Sequence, residues 1–261
     1  MRIGIKTPTG MQYTSHFYDG GIKPVKRVQT RFGYKVTGTY NHPLLVLKSG
    51  GITAWKTLSE IEAGDYIAVQ RHESVFGNDD KIPLYQQNIP GSIHLNIPSR
   101  LDDEMAYVMG ILVGDGGLTG NNGLTVTKYD NFILDSAMNW FTSLGLNPRK
   151  SVKDVKVSSM ALMDWLKSIG LSGYSYEKSV PDMIMRASKE NVRAFLSGLF
   201  DTDGSGAYKA KAAIQYCGTS EKLARQVHIL LLQFGIISSL RFKPNSGRGS
   251  WVIDIRGIEA K

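Results

Sequence analysis

The sequence predicts an α+β fold: a mostly-β segment at the N-terminus, then two copies of a helix–strand–strand–helix–strand–strand pattern. Three observations carry this expectation. Residues 1–70 alternate short apolar runs with turn residues, helix-length periodic segments begin after residue 100, and one nine-residue pattern ending in Asp-Gly occurs twice, 88 residues apart.

Lys26–Thr30, Tyr34–Thr37 and Leu44–Leu47 read as strands, separated by Gly33, Asn41-His42-Pro43 and Gly50-Gly51. Residues 71–99 are polar, hold Pro83, Pro90 and Pro98, and read as a linker. The first copy spans 100–187. A helix from Asp102 to Val113 leads into Gly114-Asp115-Gly116-Gly117, and strand-like Leu124–Lys128 follows. Next come a helix near Asn131–Leu144, basic strands over Arg149–Ser158 and a helix near Ser159–Ile169. The second copy spans 188–261. It opens with a helix from Lys189 to Phe200, ending at Asp201-Thr202-Asp203-Gly204. Strands over Ala207–Tyr216, a helix near Ser220–Phe234, and strands Ser238–Lys243 and Trp251–Arg256 complete it.

The two motifs align as Val108-Met-Gly-Ile-Leu-Val-Gly-Asp-Gly116 and Leu196-Ser-Gly-Leu-Phe-Asp-Thr-Asp-Gly204. Gly110 and Gly114 lie four residues apart on one helix face, as do Gly198 and Thr202. A glycine inside a helix costs about 1 kcal/mol against alanine, and close approach of two helix backbones is a reason to accept that cost. The two helices are then expected to run side by side and end together. Each C-terminus carries about half a negative charge from unpaired carbonyls. Two aspartates placed there repel each other, and a hard divalent cation relieves the repulsion. The pattern predicts a Mg²⁺ site shared by both copies, with Asp115 and Asp203 as ligands beside Gly114 and Thr202, and Mn²⁺ as a substitute metal.

The formal net charge is +8 and the pI about 9.4. That balance favours a polyanionic partner, of which nucleic acid is the commonest. The excess does not locate a site: residues 1–98 hold 11 Lys and Arg against 7 Asp and Glu, and residues 99–261 hold 20 against 16. No apolar run approaches the ~20 residues of a membrane span, so no membrane partner is expected. The single cysteine, Cys217, excludes an internal disulfide and a cysteine zinc cage. An intracellular, reducing setting fits.

At the paired motifs the chain resembles the single-chain LAGLIDADG homing endonucleases, over roughly residues 100–261. The resemblance implies two pseudo-symmetric αββαββ halves meeting at the motif helices, a monomer, and saddle-shaped sheets that grip double-stranded DNA in the major groove. It implies that Asp115 and Asp203 coordinate Mg²⁺ between the scissile phosphates, so that each half cuts one strand. Asp201 matches an acidic position of the family motif, where the first copy has Val113, and is expected to be structural. A pocket lysine is implied just before the second motif helix, and Lys178 in Glu177-Lys178-Ser-Val-Pro181 occupies that place. Its counterpart in the second half falls beyond the last strand, where only Ile258-Glu-Ala-Lys261 remains.

Strand residues alternate faces, so every second one is a candidate DNA contact. These are Thr125, Thr127, Lys128, Arg149, Lys150, Lys153 and Lys156 in the first half. In the second half they are Tyr208, Lys209, Lys211, Gln215, Arg241, Lys243, Arg248, Trp251 and Arg256. Arg and Gln suit base edges, and lysines mostly meet phosphate.

A second resemblance covers about residues 20–70. Gly33-Tyr-Lys-Val-Thr-Gly-Thr-Tyr-Asn-His-Pro-Leu-Leu-Val-Leu47 is similar to an intein (Hint) splicing domain, with Thr39 and His42 on its Thr-x-x-His pattern. With Met1 first and no closing His-Asn pair, the sequence as it stands is expected not to splice. Residues 1–98 then read as a splicing remnant, or as an extra DNA surface using Lys23, Lys26, Arg27, Arg31 and Lys35. The leading reading is an intein-encoded, Mg²⁺-dependent endonuclease. The alternatives are a splicing-inactive intein fragment and a non-cleaving, maturase-like nucleic-acid binder.

Overall fold

The structure is a computed structural model that describes residues 3–7, 10–16, 18–71, 76–207 and 213–260. The chain divides into two compact units, Met1–Val75 and Phe76–Lys261. Among the described residues no helix is long and apolar enough to cross a membrane.

The first unit is built from antiparallel pairs. β1 (Gly4–Thr7) pairs with β2 (Gly10–Tyr13), and β3 (Val25–Gln29) pairs with β4 (Lys35–Thr39). β5 (Pro43–Leu47) lies between β6 (Thr53–Thr57) and β7 (Tyr66–Ile67). Tyr34, Val46, Leu58 and Ile61 form its buried apolar set. The turn from β4 to β5 closes with the His42 amide donating to the Thr39 carbonyl at 2.9 Å, while the Thr39 hydroxyl donates to Asn41. Of the basic residues expected to offer a surface here, Lys26 donates instead to the carbonyls of Ser59 and Ile61. Arg27 donates to the hydroxyl of Thr37, its partner across the ladder.

The second unit begins with irregular chain. Residues 76–99, expected as a linker, have almost no regular structure, yet Ile82 and Leu95 are buried in this unit's core. Apolar side chains spaced along a polar segment are enough to bind it to the core without a helix or strand. The regular elements follow in order: α1 (Asp103–Asp115), β8 (Leu124–Thr127), α2 (Asn131–Ser143), β9 (Arg149–Lys150), β10 (Asp154–Val157), α3 (Met160–Ser168) and α4 (Asp182–Met185). Then come α5 (Lys189–Asp203), β11 (Gly204–Ala207), β12 (Ala213–Gly218), α6 (Glu221–Gln233), β13 (Ser239–Lys243) and β14 (Ser250–Arg256).

Side-chain caps fix the helix starts. Asp102, Asp130, Ser159 and Ser220 each accept an amide from the first turn of α1, α2, α3 and α6. Gly145, Gly170 and Gly235 stop α2, α3 and α6 with positive φ. The motif helices end differently. Gly116 and Gly204 have φ of −77° and −86°, so the chain leaves each helix extended. Glycine is required there by contact: a Cβ on Gly116 would lie 2.4 Å from the Leu112 carbonyl oxygen, and one on Gly204 would lie 2.2 Å from that of Phe200.

Both sheets are antiparallel. Their orders are β8-β10-β9 and β11-β12-β14-β13. The second copy therefore has the expected two strands between its helices. In the first copy the strand matching β11 is reduced to a single bridge, Gly116 to Val126, at the register where Gly204 meets Tyr216. The core runs through α1 and α5, with Val108, Met109, Ile111 and Leu112 of α1 and Phe195 and Leu199 of α5 fully buried. Trp165 of α3 stacks on Trp140 of α2, their centroids 6.0 Å apart.

Candidate metal and nucleic-acid site

The motif helices approach through their glycines. A Cβ on Gly110 would lie 2.1 Å from the Phe195 carbonyl oxygen, and one on Gly198 would lie 2.0 Å from that of Tyr107. A Cβ on Gly114 would lie 2.0 Å from the Thr202 hydroxyl. At Gly110 and Gly198 the obstacle is main chain, so the helix backbones touch there, while Gly114 makes room for the Thr202 side chain. Tyr107 adds a polar tie, donating its hydroxyl to Asp201 at 2.8 Å. Asp201 thus fastens one helix to the other.

Contact over the last turns brings the helix ends together, with Asp115 and Asp203 as their final residues. Burial pushes the Asp203 carboxyl up, the charge of Asp115 pushes it further, and it reaches about 6 although Lys178 and Lys128 pull it down. Asp115 is likewise half-buried, its side chain 28% exposed.

Two lysines enter this site. Lys178 is buried and donates to three carbonyls at the end of α1: Val113 at 2.7 Å, Gly114 at 3.1 Å and Gly116 at 3.2 Å. It satisfies acceptors that the helix cannot satisfy itself. Burial lowers its affinity for a proton, against the charges of Asp203 and Asp115. Its own carbonyl accepts the Ser220 hydroxyl at 2.7 Å, which anchors it to the start of α6. Lys128, expected on the DNA-reading face, is at the helix ends instead. Its ammonium donates to Asp115 at 3.0 Å and to the Thr202 carbonyl at 2.6 Å. The reason is the Gly116–Val126 bridge, which returns the end of β8 to the end of α1. The Thr202 hydroxyl turns back onto the Gly198 and Leu199 carbonyls, so the main-chain oxygen is the Thr202 atom that faces the site.

These donors fit a hard cation. Asp115 and the Thr202 carbonyl already hold a positive charge, that of Lys128. Among the described residues no cluster of three or more His, Cys, Asp and Glu side chains could hold a metal. A cation here would need oxygens other than these carboxylates to complete its shell. The Gly114 carbonyl, expected beside it, is engaged by Lys178.

The candidate reading residues separate by face. On the first sheet Thr125, Lys156 and Arg149 are opposite one another, and Thr127 shares their open face, donating to Asp154. Lys150 does not join them. It is in register with buried Val155 and pairs with Asp135 of α2. Lys153 is exposed in the β9–β10 turn. On the second sheet Gln215, Arg241, Lys243 and Arg256 share the open face. Three of them converge on Asp254, which is 3% exposed: Arg241 at 3.0 Å, Arg256 at 3.5 Å, and Gln215 by a short hydrogen bond. Burial pushes the Asp254 carboxyl up, but the hydrogen bonds of Gln215 and Arg241 outweigh it and hold it below the usual carboxylate range. Trp251 is corrected to the opposite face, where it packs on Phe242 and carries the Arg225 guanidinium 5.1 Å above its ring. Arg248 is turned onto the Tyr176 ring, 3.8 Å from its centroid. Tyr208, Lys209 and Lys211 lie outside the described residues.

The second half of this site carries a family signature. Residues 190–260 match the LAGLIDADG-like domain. That segment contains Asp201, Thr202 and Asp203 and the whole second sheet. Over 262 residues the chain is 29% identical to the replicative DNA helicase DnaB of Rhodothermus marinus, covering 92% of this chain and 25% of that protein. Over 252 residues it is 28% identical to the replication factor C small subunit of Thermococcus kodakarensis, covering 94% of this chain and 26% of that protein. The chain thus spans about a quarter of the length of these relatives. Among solved structures it is similar to I-DmoI in complex with DNA and Mn, with a TM-score of 0.45 and 17% identity over 59% of this chain and 89% of that one.

Sequence reasoning missed the place of Lys128 and the Tyr107–Asp201 bond. The place of Lys128 depends on the register of one bridge, Gly116 to Val126, which no local sequence signal announces.

Proposed function

We propose that the chain is a site-specific, divalent-metal-dependent DNA endonuclease, working as a monomer in which two pseudo-symmetric LAGLIDADG halves each cut one strand. The observation that carries this reading is the meeting of Asp115 and Asp203 at two touching helix ends, flanked by two lysines. A structural role alone gives no reason to gather two carboxylates where helix dipoles already concentrate negative charge. Mg²⁺, or Mn²⁺ in its place, would supply an activated water and stabilise the leaving oxygen. Asp115, Asp203 and the Thr202 carbonyl would hold it. Lys178 keeps the end of α1 in place and presents positive charge next to a scissile phosphate. The open faces of the two sheets, with Thr125, Arg149 and Lys156 on one and Gln215, Arg241, Lys243 and Arg256 on the other, offer base and phosphate contacts.

The similarity to two unlike hosts supports an intein origin. A stretch shared by a helicase and a replication factor belongs to neither activity, and is best read as a module inserted into both. We read the first unit, with Thr39 and His42 at its β4–β5 turn, as a Hint-like splicing remnant, and the protein's setting as the reducing interior of a cell.

A library of duplex targets with Mg²⁺ tests this function. Double-strand cleavage at one long site is expected, and Asp115→Asn or Asp203→Asn should abolish it while sparing binding in a gel shift. Binding without cleavage in the unaltered chain would favour the maturase-like reading and sink the nuclease.

A further inference from the structure

Lys178 and Lys128 both sit at the helix ends, but they are held differently. Lys178 is buried, bonds only to carbonyls and touches neither carboxylate. Lys128 is 28% exposed in its side chain, bonds to one carboxylate, and reaches from the first motif helix to the second by way of the Thr202 carbonyl. Its main chain is fixed by its amide's bond to the Lys153 carbonyl, so only the flexible stem need move for the ammonium to leave. Among the described residues the second half offers no equivalent. By register Val126 matches Tyr216, so the residue matching Lys128 is Gly218. A Cβ there would lie 2.5 Å from the Tyr216 hydroxyl, so a side chain at this position has to displace a buried tyrosine. One lysine therefore serves both helix ends.

We infer that Lys128 is the resident cation of the metal-free site: it joins Asp115 to the Thr202 carbonyl, and it gives up both oxygens when a divalent cation enters. This inference rests on the metal reading above. It makes Lys128 a positioning residue, one whose charge keeps the carboxylates together until metal and DNA arrive and then becomes available to phosphate. A cation that must displace an ammonium binds more weakly than one that meets free oxygens, because the ligand field is the same and one ion pair has to break.

The test is titration of the full chain with Mn²⁺ alone, free ion followed by electron paramagnetic resonance. Lys128→Met keeps the apolar stem and removes the charge. Lys128→Gln serves if that variant does not fold. About tenfold tighter Mn²⁺ binding is expected in the variant, the equivalent of one modest ion pair. The same variant should melt lower without metal and gain more from added Mn²⁺. A purely structural lysine would lower the melting point but leave Mn²⁺ affinity unmoved. Unchanged or weaker binding in the variants, with clear binding in the unaltered chain, overturns this inference alone. Binding in none of the proteins overturns it together with the metal reading.

Discussion

Gly198 sits so close to Tyr107 that a Cβ on the glycine would lie 2.0 Å from the tyrosine's carbonyl oxygen. The atom in the way is main chain, and it belongs to a helix hydrogen-bond ladder. Rotating a side chain cannot relieve the contact.

Gly198→Ala should therefore push α5 off α1. Overpacking of this kind typically costs about 1–3 kcal/mol, and a loss of that order is expected in urea unfolding. Cleavage should fall further than stability, since the shift also separates Asp115 from Asp203. A variant as active as the unaltered protein would show that the helices can part without harm to the site.

The acidity of Asp203 gives a pH signature. Its carboxyl titrates near 6 in the folded chain, raised first by burial and then by Asp115, against an ordinary value of 3.8. The folded state thus holds a proton that the unfolded state has lost between those values. Metal-free stability should fall as pH rises from about 4 to 6 and level off above. Asp203→Asn should flatten that slope and stabilise the metal-free protein at pH 7 by roughly 1–3 kcal/mol, while removing cleavage. Thermal melts across pH in a chelating buffer would settle the sign. A stability that climbs through this window would contradict a raised Asp203.

Asp254 sets the direction of Arg241, Arg256 and Gln215 on the second sheet's open face. Asp254→Asn removes a negative charge from a surface proposed to meet DNA, so overall affinity should hold or rise. Discrimination should drop, by roughly tenfold at the base pairs these residues read, since a well-placed pairing is worth about 1–3 kcal/mol. Competition binding against single-base target variants measures both quantities. Equal discrimination with and without the carboxylate would remove Asp254 from the reading apparatus.

Much of the second unit was legible because its signals are local. Asp102, Asp130, Ser159 and Ser220 are cap residues ahead of periodic segments, and Gly145, Gly170 and Gly235 stop the helices that follow. The glycines of the motif were legible for a different reason: a helical glycine has to be offset by a contact. Pairing was not legible. The loss of the first copy's β11 equivalent depends on how far the ladder extends beyond Gly116, and nothing in residues 117–123 announces a single bridge. The faces of Lys150 and Trp251 turn on a register shift of one residue, which reverses every side chain in a strand. Lys128 reached the site by that same pairing.

Cys217 lies on the exposed side of β12, in register with Val252 and Arg241, and it is the only cysteine in the chain. A thiol-reactive dye would therefore attach at one place without mutagenesis, within the row of residues proposed to face the bases. The protein carries its own reporter of duplex occupancy, and the rate at which that sulfur is alkylated, with and without target, reads the footprint of DNA on a surface that binding studies address only in sum.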